Sequence, residues 1–245
     1  MTRSYRVAAE ASEALLSRVV SATLQVLSTA RKCCPDEPVL DQSQVETVFL
    51  SILAPHAKRS GDLSDTVLEA AALVFEQSAA TGQGASGLFT LENIDPFFEV
   101  FSSSPTCLRL KSVDLVKALA ACTADSPGGV SLDLVAASFN LLTSRLADVS
   151  NQVRCSALRS LAACFQFWRS FLREGCEDLL LKTGESVRLH TTPADLSQAG
   201  FQEALTAVLQ SLARLNTRIL EQTFSGQQSA GVPGLELIVR EVLSM

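Results

Sequence analysis

The sequence predicts an all-α chain of helical hairpins that stack on one another, and three observations carry that expectation. The stretch Leu141 to Cys164, LLTSRLADVSNQVRCSALRSLAAC, places Leu141, Leu142 and Leu146 at helical spacing. After the polar turn Asp148-Val149-Ser150-Asn151 the spacing resumes with Val153, Ala157, Leu158, Leu161 and Phe165. Composition agrees: 47% hydrophobic residues with 12 Gly and 8 Pro suit a helical protein rich in Ala and Leu and argue against disorder. The third observation is recurrence. Val153, Ala157 and Leu161 are matched by Val67, Ala71 and Phe75 and, between them, by Leu108, Ser112 and Val116. Their first positions, 67, 108 and 153, are 41 and 45 residues apart, inside the ~40–47 of two-helix repeats. One hairpin cannot bury its apolar face alone, so such units must stack.

The pattern Leu141, Leu142, Leu146, Asp148, Val153, Arg154, Ala157, Leu161 resembles the HEAT and armadillo class of helical repeats. The resemblance implies a right-handed α-α superhelix of about three degenerate hairpin units plus terminal helices. It also implies that Asp148 in the turn and Arg154 opening the second helix link adjacent hairpins. The fit is uneven: the upstream unit has Leu68 where the family has Arg, and the middle unit has a short first helix and Ser112 at the small position. On this basis residues 1–245 form a single helical-repeat domain. It comprises an N-terminal capping helix within 1–34, hairpins across 41–175 and C-terminal helices over 194–245.

Taken in order, one long helix is expected from about Val7 to Lys32, with Leu15, Leu16, Val19, Val20, Leu24, Val26 and Leu27 on a wide apolar face. A linker over 34–38 precedes a helix over 42–54, for which Asp41 and Gln44 form a capping box. Residues 55–61 read as a basic exposed loop with His56 at the surface. A helix over 63–80 turns Val67, Leu68, Ala71, Ala72 and Phe75 inward. The glycines of 81–87 lack the Lys-Ser/Thr ending of a phosphate loop and follow a helix, so they read as a linker. Asp95-Pro96 reads as a helix start, and Ser104-Pro105 opens a helix over 106–123. A further linker spans 124–129, and Ser131 caps the helix that leads into the central hairpin.

The second helix of that hairpin is expected to run on to Gly175, with Phe165, Trp168 and Leu172 on the core stripe and Phe167 and Phe171 pointing elsewhere. Residues 176–194 read as a short helix through Leu181 followed by a polar loop containing His190. One long helix is expected from Ala194 to about Phe224, then a linker over 225–231. A last helix opened by Pro233 is too apolar to be left in water.

Catalysis finds little support in these residues. His56 and His190 are the only histidines, and no nucleophile elbow, HExxH, Walker or EF-hand pattern is present, so neither an enzyme nor a cofactor or metal is expected. None of the seven cysteines forms C-x-x-C, which suits small buried hydrophobes in a reducing compartment, cytoplasmic or nuclear. Arg3, Arg6 and Arg18 among Ser and Ala give a faint transit-peptide character, opposed by Glu10 and Glu13, so mitochondrial import stays open. No apolar run approaches the ~18–20 residues of a membrane span.

Net charge is −6, which speaks against general nucleic-acid binding. Residues 61–104 hold seven acids and no Lys or Arg, whereas 105–175 hold eight bases and five acids. A repeat array offers extended surface, so the expected function is a protein-binding scaffold or adaptor, a component or assembly factor of a larger complex. Arg109, Lys111 and Arg159 would hold an acidic or phosphorylated segment, with Phe167, Trp168 and Phe171 as the apolar part of the partner surface. The alternatives are an obligate subunit whose aromatic faces are permanently buried and, behind it, a nucleic-acid-associated repeat protein.

Overall fold

A computed structural model describes residues 2–33, 40–60, 65–80, 89–100, 104–124, 130–224 and 232–244. The expected linkers at 34–38, 81–87 and 225–231, nearly all of that at 124–129 and the start of the 63–80 helix lie outside these residues. Among the described residues every regular element is a helix. The chain divides into two compact units, 1–129 and 130–245. Their boundary falls inside the 41–175 run expected to carry the hairpins.

The first unit contains α1 (Thr2–Cys33), α2 (Gln42–Val48), a π turn (Phe49–Leu53), α3 (Ala54–Ser60), α4 (Asp65–Ala80), α5 (Leu91–Phe98) and α6 (Thr106–Thr123). Asp41 and Gln44 form the expected capping box: Asp41 Oδ1 accepts from the Gln44 N–H at 2.8 Å, and Gln44 Oε1 accepts from the Asp41 N–H at 3.0 Å. The helix then does not stop at 54. Pro55 has no N–H for an α-helical bond to the Ser51 carbonyl, and its ring would crowd that group. The turn ahead of it is widened, with the Ala54 N–H donating to the Phe49 carbonyl, and the helix continues to Ser60. The expected exposed loop is therefore helical, and His56 is buried rather than at the surface. Its Nε2 lies 3.2 Å from Ser17 Oγ on α1.

The core of this unit is built around α4, which packs against both α1 and α6. Two-sided packing is why Val67, Leu68, Ala70, Ala71, Val74 and Phe75 are all buried. Phe49 is fully buried at the centre of an aromatic cluster, its ring centroid 5.3 Å from Phe75, 5.5 Å from Phe89 and 5.7 Å from Phe97. Leu91, Ile94 and Phe97 at helical spacing set α5, which starts after Thr90 and not at Asp95. Pro96 lies inside this helix. The α6 limits agree with expectation. Val20 and Leu27 of α1 are buried, whereas Leu15 and Val26 stay about 60% exposed, so the wide apolar face of α1 is covered on one side only.

The second unit contains α7 (Leu132–Arg145), α8 (Asn151–Phe167), α9 (Arg169–Arg173), α10 (Glu177–Leu189), α11 (Pro193–Leu196), α12 (Ala199–Leu215), α13 (Thr217–Phe224) and α14 (Pro233–Ser244). Ser131 Oγ caps α7 by accepting from the Leu134 N–H at 3.2 Å. Helices α7 and α8 form the hairpin read from the sequence. Val153, Ala157, Leu158, Leu161 and Phe165 of α8 are buried, and the helix lies against α12, which buries Phe201, Leu205, Val208, Leu209 and Leu212. The α8 helix does not run on to Gly175 as expected: it ends at Phe167, and a bend at Trp168 separates it from α9. Gly175, at φ +94°, follows the short α9 in the left-handed region that glycine favours.

Two expectations for the C-terminal half are corrected. Residues 177–189 form one continuous helix, α10, in place of a polar loop. Gly184 does not break it because this is where α10 meets α13: a Cβ there would lie 3.2 Å from both Cγ2 and Oγ1 of Thr223. The single helix expected over 194–224 is three. Asn216 is extended at φ −158° and its Oδ1 accepts from the Ile219 N–H at 3.3 Å, a side-chain cap that lets α13 start afresh. The last helix begins at Pro233 as expected and docks through Leu235, Ile238, Val239 and Val242, while Leu237 faces out.

Two substitutions probe these cores. Phe49→Ala should cost about 3–5 kcal/mol in the first unit, seen as faster hydrogen exchange across α2 to α5 with α8 and α12 unchanged. Gly184→Val should destabilise the second unit by about 1–3 kcal/mol through overpacking against Thr223, measured as a fall in its denaturant midpoint.

Candidate functional site

Arg154, in the first turn of α8, bonds to several separate elements of the second unit. Its Nε donates to the Leu146 carbonyl at 2.9 Å, which ties it back across its own hairpin turn. Nη1 donates to Asp195 Oδ1 and Nη2 to the His190 carbonyl, both at 2.8 Å, and Nη2 also reaches Asp195 Oδ2. The guanidinium carbon stands 5.1 Å from the ring centre of Phe201. One side chain thus joins the α7–α8 turn, the end of α10, α11 and α12. The planar fork of Arg fits this arrangement and Lys would not.

Asp195 is almost fully buried and is prepared locally. Thr192 and Asp195 form a capping box around α11: the Thr192 N–H and Oγ1 donate to Asp195 Oδ2 at 2.9 and 2.6 Å. Burial pushes the Asp195 carboxyl up, but hydrogen bonds from Arg154 and Thr192 and the Arg154 charge outweigh it and hold the group below the usual carboxylate range.

Arg154 was expected, with Asp148, to link adjacent hairpins; the carboxylate it grips is Asp195 of α11. Asp148 instead shapes the turn, its Oδ1 accepting from the Ser150 N–H at 2.8 Å. Ser150 precedes α8 without a side-chain cap bond, and Asn151 directs its amide to Gln198 Oε1. Asp195 and Phe201 were not singled out as partners of Arg154. The T-x-x-D pattern of Thr192 and Asp195 is the sequence signal that could have found the first of them.

The expected partner-binding residues separate into two groups. Arg109 is buried, and its Nη1 donates to the Ser104 carbonyl, so it secures the start of α6 and is not an exposed clamp. Lys111 lies 2.7 Å from both Asp65 and Glu69 of α4. Those acids come from the acidic stretch and Lys111 from the basic one, so part of the charge asymmetry is used inside the first unit. Trp168 is buried, with its ring 6.1 Å from Phe139, and belongs to the core.

Arg159 and Phe167 of α8 are exposed and Phe171 is half-buried. The exposed residues Gln152, Arg159 and Gln166 recur every seven positions along α8, with Phe167 beside them at its end.

Of the described cysteines, Cys33 and Cys107 are exposed, and Cys122, Cys155, Cys164 and Cys176 are buried. Burial pushes the thiols of Cys122, Cys155 and Cys176 up, away from thiolate chemistry. Among the described residues no cluster of three or more His, Cys, Asp and Glu side chains is arranged to hold a metal ion, and no helix is long and apolar enough to cross a membrane. Comparison with protein-family models, with curated proteins and with solved structures finds no match to this chain.

The sign of the Asp195 shift fixes a pH dependence. Its folded-state value lies below the unfolded one of about 3.9, so the stabilisation is fully present above about pH 4 and is lost as pH falls through the depressed value. Denaturant titrations between pH 5 and pH 2 should show the second unit losing stability, and Asp195→Asn should flatten that loss. Arg154→Ala, which leaves the buried carboxylate unpaired, should cost about 3–5 kcal/mol at neutral pH.

Proposed function

We propose that the chain is a non-enzymatic protein-binding scaffold or adaptor of the helical-repeat kind, a component or assembly factor of a larger complex, which recognises an acidic segment of its partner. The observation that carries this reading is the open face of α8. The helix is held on its other faces by α7, α12 and the Arg154 anchor, and it turns Arg159 and Phe167 to solvent. Arg and aromatic side chains on a rigid support are the residue types that dominate binding energy at protein interfaces. Gly200, at the start of α12, leaves room beside the Arg159 guanidinium, whose Nη2 would lie 3.9 Å from a Cβ at that position. A carboxylate or phosphate could therefore approach Arg159 without meeting a side chain there, and Phe167 and Phe171 would supply the apolar contact.

Stacking of the hairpins into a right-handed superhelix belongs to the same proposal. The recurrence of the 67, 108 and 153 positions supports it, as does the α7–α8 hairpin, whose buried residues match the repeat pattern. Arg109, Lys111 and Trp168, occupied within the fold, are left out of the proposed surface.

Arg159→Glu combined with Phe167→Ser should leave thermal stability within about 0.5 kcal/mol of the parent chain, because both residues are exposed. Affinity purification followed by mass spectrometry, comparing the parent chain with this variant, should show the partner lost at least ten-fold. Undiminished capture by the folded variant would rule out the α8 surface.

A further inference from the structure

An open cleft of about 340 Å³ lies in the second unit where α12, α13 and α14 meet. It is lined by Gln210, Ala213, Arg214, Thr217, Val242 and Leu243. Its size is at the small end of the roughly 300–1,000 Å³ typical of sites for small molecules. The lining has two chemistries. Ala213, Val242 and Leu243 form an apolar wall, and Arg214 supplies one cation. The Arg214 guanidinium has no ion-pair partner among the described residues, and the fold uses this residue only through its carbonyl, which accepts from Arg173 Nη2 at 3.0 Å. Thr217 spends its hydroxyl proton on the Ala213 carbonyl at 3.1 Å, leaving oxygen lone pairs but no donor for an anion.

From this arrangement we infer that the cleft binds a small amphipathic monocarboxylate, with its carboxylate on Arg214 and its aliphatic tail against Val242 and Leu243. A single guanidinium offers two parallel N–H donors, which match the two oxygens of a carboxylate and one negative charge. A phosphate monoester carries closer to two charges at neutral pH and is ordinarily met by more than one cation. The apolar wall excludes ligands that are polar throughout, because each unpaired polar group placed against it would lose its hydration. The acids Glu221 and Glu241 on the adjoining helices are exposed and do not neutralise Arg214 through an ion pair.

Isothermal titration calorimetry of the full chain tests the assignment with octanoate, octanol and octyl phosphate as probes. Octanoate should bind at one site per chain, at least ten-fold more tightly than the other two. Arg214→Gln should reduce octanoate affinity at least ten-fold and bring it level with octanol. Ala213→Leu, which occupies part of the cleft and keeps Arg214, should weaken octanoate binding at least ten-fold. Circular dichroism of each variant should superimpose on that of the parent chain. Absence of saturable octanoate binding, octanol binding as tightly as octanoate, or a folded Arg214→Gln variant of undiminished affinity would each overturn the assignment. Tighter binding of octyl phosphate would replace the carboxylate by a phosphate ligand and overturn it as stated.

Discussion

A half-buried cation and a buried anion that must stay together govern the second unit. Taking Arg154 and Asp195 out of water separately would be prohibitive, and their attraction compensates only because the remaining donors and acceptors are also satisfied. Leu146 in the hairpin turn and His190 and Thr192 in the α10–α11 connection supply those remaining bonds. The pair therefore acts less as a source of net stability than as a constraint on geometry. The hairpin turn, the end of α10, the short α11 and the start of α12 must all reach one point before any of them is satisfied. Helix α8 is fixed in consequence, and with it the outward direction of Arg159 and Phe167.

The core of the first unit is organised around aromatic side chains. Its centre is the Phe49, Phe75, Phe89 and Phe97 cluster, held by shape and by edge-to-face, tilted and stacked ring contacts. Apolar packing of this kind tolerates small shifts in helix position, whereas the fork of Arg154 does not. The ion pairs of Lys111 with Asp65 and Glu69 lie partly in solvent and add about 0–1 kcal/mol each. Two designs thus coexist in one chain, one specified by volume and the other by directed bonds.

Helix existence was legible in the sequence wherever apolar spacing ran for several turns beside a local start or stop signal. The limits of α6, the Asp41–Gln44 box, the Ser131 cap and the Pro233 start all belong to this class, because the determining atoms are close neighbours in the chain. Misreadings arose where distant contacts decide. Gly184 looks like a helix breaker until Thr223 is placed against it, and His56 looks exposed until α1 supplies Ser17. Asn216 interrupts an apolar stripe that is itself continuous, so periodicity alone ran through the break. Of the expected surface, Arg159 and Phe167 were recognisable from helical phase. The phase of α8 also put Trp168 on the core stripe, whereas Lys111 was not legible, since its acids come from another helix, nor Arg109, whose guanidinium turns back onto Ser104.

The widened turn at Phe49–Leu53 has a further consequence for the helix that contains it. A π turn holds one residue more than an α turn, which advances the angular phase of everything downstream by about 100° while barely lengthening the rod. The stripe containing Val45 and Phe49 and the stripe containing His56 and Ala57 are consequently set independently, although they belong to one uninterrupted helix. The chain can thus turn Phe49 into the aromatic cluster and, further along the same rod, set His56 against Ser17 of α1 while α3 also meets α5, without a loop between them.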